Sequence, residues 1–419
     1  MRIPRAICGW LLALACSCCA FGPVAKAQTS TAFKIIRRID GTLVAGGRSS
    51  ASAEAIQAFD ISPDGSLLAV LFQSESQHDS WLRILIENFG TGAALMDLKL
   101  PTDTRPDHWD LPPWYVPHVE FSADQKLLAV QDWENIRVVS LSNFQVARTL
   151  ASMNKELRVP FSILRASTNN LFLVSYGKAG SFRSSGFNDL TNPRVHNELV
   201  DVSTGKIQSG WESMDLPQSL SPDGKRAAVS DWETSNIVVE VGIVDTHTGQ
   251  NLKTLHSGYK FGKPWERVQT GRVIGKFLSD DEILLSPDEH IDSTGHKSGD
   301  ALRIMRVSDG QVVHEIHPDN FGPLGEVITS ASRDCFAMLN WYISPGILKR
   351  DLAPPEGSRP ELIVFPDPAK ARSYAISQLS LTTLVTNQYL GTTYSPRISN
   401  GASAVAVAQD GGVTVFQRN

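Results

Sequence analysis

The residues of this chain that could do chemistry gather in a few polar, aromatic stretches. The run HWDLPPWYVPH sets His108 and His118 beside Trp109, Trp114 and Tyr115, and Pro112 and Pro113 stiffen it. A second stretch, GYKFGKPWER, carries Tyr259, Phe261, Trp265 and Arg267 with Lys260 and Lys263, and a third offers Phe182, Arg183 and Arg194. Rigid aromatic area interleaved with arginine suits contact with a protein surface, a peptide or a glycan. The same aromatics could instead pack loops onto a scaffold. Three further tryptophans follow apolar runs: Trp133 between Asp132 and Glu134, Trp232 between Asp231 and Glu233, and Trp341 after Asn340. They could stack a ligand or wedge neighbouring elements together.

Catalytic signatures are weaker. His314 and His317, in HEIH, would form a metal pair on a helix, but in a strand of period two they face opposite sides. There is no Cys-x-x-Cys-His haem site and no Gly-x-Ser-x-Gly nucleophile elbow. The stretch PDEHID, from Pro287 to Asp292, gathers acids and a histidine that could hold calcium or serve a lactonase-like site; a solvated loop is the simpler account. No cofactor is expected.

These stretches hang on a repeat. Phe59 to Leu71 reads FDISPDGSLLAVL, Val119 to Val130 reads VEFSADQKLLAV, and Leu220 to Val229 reads LSPDGKRAAV. Each is an apolar run, a turn and a second apolar run, the grammar of a β-hairpin, which makes Asp64, Asp124 and Asp223 turn formers. Weaker copies precede LFLVSY, ILLS, CFAML and AVAVA. Taking the first serine of each turn gives Ser62, Ser122, Ser167, Ser221, Ser279, Ser330 and Ser399. A period of about 56 residues lies just above that of a four-stranded propeller blade.

Seven units predict an all-β, seven-bladed β-propeller with four antiparallel strands per blade; six or eight blades are the alternatives. The last unit, AVAVAQDGGVTVFQ, stops after its third strand, while FKIIRRI, from Phe33 to Ile39, stands alone before the first. Pairing the two would close the ring and cover an open edge.

Residues 1–27 read as a signal peptide. Arg2 and Arg5 precede the apolar run from Ala6 to Phe21, and Ala25-Lys26-Ala27 fits a small-x-small cleavage site. Cleavage after Ala27 would leave residues 28–419 as a single propeller domain, secreted or periplasmic. It also removes Cys8, Cys16, Cys18 and Cys19, so Cys335 stands alone and an internal disulfide is ruled out. Cys335 reads as a small buried hydrophobe. The cleaved segment holds three basic residues and no acid, taking the formal net charge from −5 to −8. That balance argues against nucleic acid or an anionic membrane as partner. After residue 27 no stretch is long and apolar enough to span a bilayer, and a monomer is expected.

The SPDG hairpin, its following apolar run and the Asp-x-x-Thr-Gly turn resemble the bacterial WD-repeat-like, TolB-like and YVTN-type β-propellers, over about Phe33 to Gln417. The resemblance implies that the SPDG turns share one rim and that the long loops, with the aromatic stretches above, share the other. Such propellers serve as binding platforms and as enzymes. The expectation is a non-catalytic binding module working through its loop-rich rim; the alternative is a hydrolase- or lactonase-type enzyme with its site at the channel mouth.

Overall fold

The computed structural model describes residues 28–29, 33–40, 42–43, 55–75, 80–101, 117–132, 135–151, 159–177, 195–213, 216–230, 240–257, 273–287, 301–316, 324–340, 361–370, 372–376, 379, 396–409 and 412–419. The described strands form seven sheets arranged in a ring, each built on four antiparallel strands, consecutive in the chain in six sheets and, in the seventh, the last three strands joined by Phe33–Asp40. The innermost strands, in blade order, are Ala55–Ile61, His118–Phe121, Val159–Arg165, Leu216–Leu220, Val273–Phe277, Leu324–Thr329 and Arg397–Ile398. Each packs beside the innermost strand of the next blade, and the seventh returns to the first.

The second strands explain the repeat's apolar runs. Leu67–Glu75, Leu127–Gln131, Leu171–Gly177, Arg226–Ser230, Glu282–Pro287, Phe336–Asn340 and Ala404–Gln409 lie inside their sheets, covered on both faces by neighbouring blades. Continuous hydrophobicity, rather than alternation, follows from that double burial. One hydrophobic cluster sits at each of the seven blade boundaries. Cys335 belongs to the cluster between blades 6 and 7; it is fully buried, and burial pushes its thiol up to about 12. It packs as a hydrophobe. HEIH falls partly on the outer strand of blade 5, Val312–Ile316, so His314 is on a strand and not on a helix; His317 lies outside the described residues.

Ring closure follows the sequence reading. Phe33–Asp40 pairs antiparallel with Gly412–Arg418, from Phe33 opposite Arg418 to Asp40 opposite Gly412. Phe33 enters the core between blades 6 and 7, while Ile36 and Ile39 pack against the core between blades 7 and 1. Two short strands add parallel pairs: Gln28–Thr29 on the outer strand of blade 6 and Thr42–Leu43 on the inner strand of blade 1.

The turn rim is locked by its own side chains. In blades 1, 2 and 4 the turn serine donates to the turn aspartate, Ser62 to Asp64, Ser122 to Asp124 and Ser221 to Asp223, each at 2.7 Å. The same hydroxyl accepts the amide five residues on, from Leu67, Leu127 and Arg226. Neighbouring turns are then bonded to one another: Asn170 Nδ2 to Asp124, Asn169 Nδ2 to the Asp223 carbonyl, the Asp223 amide to Asp280, the Gly401 amide to Asp334, and the Asn400 amide to the Pro63 carbonyl. The turn aspartates therefore serve structure.

Two turns depart from the serine count. The amide that closes the turn of blade 3 belongs to Ala166, bonded to the Leu171 carbonyl, and that of blade 5 to Leu278, bonded to Glu282. Ser167 and Ser279 are thus one residue past the positions equivalent to Ser62. The physical reason is that a backbone amide closes the turn, so the first residue need not be serine.

Candidate functional site

Counting back from the true turn starts exposes a pattern on the inner strands. The residue two before the turn is Asp60, Glu120, Leu164, Ser219, Lys276, Ile328 and Arg397 in blade order. Five of the seven are polar, on strands whose other residues are largely apolar. Four of these polar side chains, Asp60, Glu120, Ser219 and Arg397, meet the next blade, Lys276 meets the preceding one, and together they stitch the ring. The Asp60 carboxylate accepts the Phe121 amide at 2.9 Å, and the Ser219 hydroxyl donates to the Gly275 carbonyl at 2.8 Å while accepting from the Phe277 amide at 3.2 Å. Lys276 Nζ reaches back to the Gln218 carbonyl at 3.0 Å.

Between blades 7 and 3 the stitching becomes a charged cluster on the channel wall. Arg165 ends the inner strand of blade 3 and faces back toward blade 2. Its Nη1 donates to the Phe121 carbonyl at 2.6 Å, its Nε lies 3.3 Å from Glu120, and Nη1 lies 3.8 Å from Asp60. Arg397 approaches Asp60 from blade 7 at 3.6 Å. His118, one pleat above Glu120 on the same strand, is 3.4 Å from its carboxylate. Asp60 and Arg165 are nearly closed off, whereas the side chains of His118, Glu120 and Arg397 keep 14–15% exposure, so the cluster still meets solvent-sized space.

A third arginine arrives from the far side of the ring. Arg333 occupies the turn of blade 6 at φ +66°, where blades 1 and 4 have Gly65 and Gly224. Its guanidinium bonds Thr329 Oγ1 on its own blade and spans the channel to the carbonyls of Arg165 at 3.0 Å and Leu220 at 3.4 Å. One side chain thus ties blade 6 to blades 3 and 4 and bars the turn end of the channel. Burial, with Arg165 adding repulsion, brings its guanidinium down to about 10.

The two carboxyls of the cluster are driven apart. Burial and then the nearby Glu120 charge lift Asp60 to about 7, against the pull of Arg165 and Arg397. Burial also opposes ionisation of Glu120, but Arg165, the His118 hydrogen bond and Arg397 outweigh it and hold that carboxyl at about 2. A folded-state value raised from 3.8 means that Asp60 binds its proton more tightly in the folded chain. Its contribution to stability is complete below pH 3.8 and is lost as pH rises through about 7. Asp60→Asn keeps an oxygen for the Phe121 amide and removes the titration. We expect the urea midpoint of wild type to fall between pH 4 and 7, and that of Asp60→Asn to stay level over the range; equal slopes would contradict the assignment.

Of the residues assigned to the rim site in the sequence, His118 is the one among the described residues, and it sits on the channel wall rather than in a rim loop. His108, Trp109, Trp114, Tyr115, Trp133, Arg183, Arg194, Trp232, Tyr259, Trp265, Arg267 and Trp341 lie outside the described residues. So does Asp288 to Asp292. The strands place the ends of their segments, however. Segments 102–116, 178–194, 258–272, 288–300, 341–360 and 380–395 each leave from the end of a blade opposite the SPDG turns. Among the described residues no three His, Cys, Asp or Glu side chains are placed to hold a metal ion.

No protein-family model matches the chain, and neither does any curated protein sequence. Solved structures do match in shape. A chain of the crystal structure of a mitotic checkpoint complex superposes with a TM-score of 0.52 over 94% of this chain and 96% of that one, at 12% identity. At that identity the likeness is one of fold, the β-propeller described above. No helix among the described residues is long and apolar enough to cross a membrane.

Proposed function

We propose that this chain is an exported propeller of the bacterial WD-repeat-like, TolB-like or YVTN-like kind that binds a protein, peptide or glycan through its loop-rich rim. The observation behind this reading is the asymmetry of the ring. One rim consists of short turns bonded to one another, which fixes the scaffold. The long segments, rich in tryptophan, tyrosine and arginine, all depart from the other end. Long loops on a rigid frame are where recognition is commonly built. The signal-like residues 1–27 support export to the periplasm or outside the cell.

The test is a capture experiment from the exported fraction, comparing wild type with a Trp109→Ala, Trp114→Ala, Trp265→Ala variant. Wild type should retain a partner that the variant, still melting cooperatively, releases or binds at least tenfold more weakly. Equal capture by both would remove the rim from the reading. A second reading, a hydrolase- or lactonase-type enzyme, draws support from the channel cluster, where a proton-bearing carboxyl, an ionised one and a histidine converge. A hydrolase screen that responds to Asp60→Asn and ignores the rim variant would favour it.

A further inference from the structure

We propose that the cavity between blades 2 and 3 is a binding site for a ring-sized monocarboxylate, held by Arg148 and Tyr176. Its walls come from both blades. Arg148 and Leu150 stand on the outer strand of blade 2, Gln145–Leu150, while Tyr176, Val200, Gly205 and Ile207 come from the second to fourth strands of blade 3 and the turn between the last two. Together they line about 250 Å³. An apolar cavity of about 150 Å³ already holds one benzene. The room here therefore takes a single ring with a small polar group, and no chain of sugars or amino acids.

The lining supplies an apolar wall and unused donors. Leu150 and Val200 belong to the core between these blades, and Ile207 packs against it. Tyr176 is 2% exposed, and its hydroxyl has no partner. Burial, and then the Glu198 charge, push that phenol well above its ordinary range, so it stays a donor at any working pH. Arg148 is half-buried; its Nε is buried without an acceptor, and among the described residues no carboxylate pairs with it. It carries the one charge among the described residues of the lining, so a single negative charge balances it. Glu198 is not in that lining and lies 3.1 Å from His196 Nε2. Gly205, at φ +75°, lets the turn close against the arginine: a Cβ there would stand 3.3 Å from Arg148 Cδ and Nη1. A buried donor left without an acceptor is costly. A carboxylate offers acceptors to both donors and a counter-charge to the guanidinium, and its ring covers the apolar wall; water would leave Leu150, Val200 and Ile207 wet.

Benzoate is the probe, with benzamide as the uncharged isostere and acetate as the charge without the ring, at constant ionic strength on the full chain. Wild type should give saturable heats and a raised melting temperature with benzoate, and bind the other two at least about tenfold more weakly. Arg148→Gln should weaken benzoate at least about tenfold, because the charge is lost. Tyr176→Phe should weaken it about three- to tenfold, yet leave the ligand-free melting temperature level or higher, since the hydroxyl it removes bonds to nothing; a hydroxyl with a structural role would lower it. Should Arg148→Gln fail to fold, Tyr176→Phe and the benzamide comparison carry the test. The proposal is overturned if benzoate gives no saturable heat, as a cavity filled by water alone would, if benzamide or acetate matches benzoate, or if Arg148→Gln binds benzoate as tightly as wild type. The rim variant should keep the full benzoate response, so this site and the rim stand or fall separately.

Discussion

Arg165→Met should destabilise the ring by about 3–5 kcal/mol, the range for removing one partner from a buried ion pair. The methionine fills comparable volume, so the loss isolates the guanidinium. Without it Glu120 keeps its carboxylate facing an emptied position, Asp60 keeps the Phe121 amide but loses one of its two nearby arginines, and the Phe121 carbonyl loses its 2.6 Å donor. The pH profile should change with it. In wild type, Glu120 ionises near 2 against 4.5 for a free glutamate, so its contribution is complete above 4.5 and lost as pH falls through about 2. Removing Arg165 raises that carboxyl, so acid unfolding should begin at higher pH. Urea titrations at pH 3–8 measure both effects. Adding Glu120→Gln should restore about 1–2 kcal/mol, because the orphaned charge leaves with its partner. A loss below about 1 kcal/mol, or no recovery in the double variant, would show the cluster to be ornamental.

Deleting residues 1–41 should abolish cooperative unfolding altogether. The closing strand supplies a ladder along Gly412–Arg418, with hydrogen bonds worth about 1 kcal/mol each. Loss of Phe33 from the core adds about 3 kcal/mol. Arg37 also pairs with Glu87 of blade 1 at 2.9 Å, both sheltered. The sum reaches the whole stability of a typical domain, about 5–15 kcal/mol. The strand left bare would also invite pairing with other chains. Calorimetry should show no sharp transition, and a synthetic peptide of residues 33–40 added in trans should bring one back. A truncated chain that melts like the parent would refute the closure's importance.

Much of this architecture was legible because each blade repeats one physical problem. An inner strand must reverse into a strand buried on both faces, and Ser-Pro-Asp-Gly solves that locally, so the turn recurs where its neighbours in space do not. The degenerate copies at Ala166 and Leu278 were placed one residue late because serine stood in for the amide that closes the turn. The charged cluster was not read, since Asp60, Glu120, Arg165, Arg333 and Arg397 come from five blades and lie far apart in the chain. A signal was present nonetheless: a charge inside FDI, VEF and PRIS, always two residues before the turn. Such a charge makes sense only when the next blade supplies its partner. The aromatic stretches were legible as recognition chemistry, but residue type alone does not say how long loops are arranged.

The pairing of Phe33 with Arg418 also dictates an order of events during folding. Blades 1 to 5 are contiguous in the chain, so each can condense as soon as its own residues are free to fold. The seventh must wait for the final strand, and joining segments roughly 385 residues apart carries a closure entropy of about 5 kcal/mol in a free chain. Packing six blades in sequence shortens that search, because the stacked arc carries its two ends toward each other. The folding protein is therefore an open arc with unpaired edges until Gly412–Arg418 meets Phe33–Asp40, and only that pairing makes it a ring.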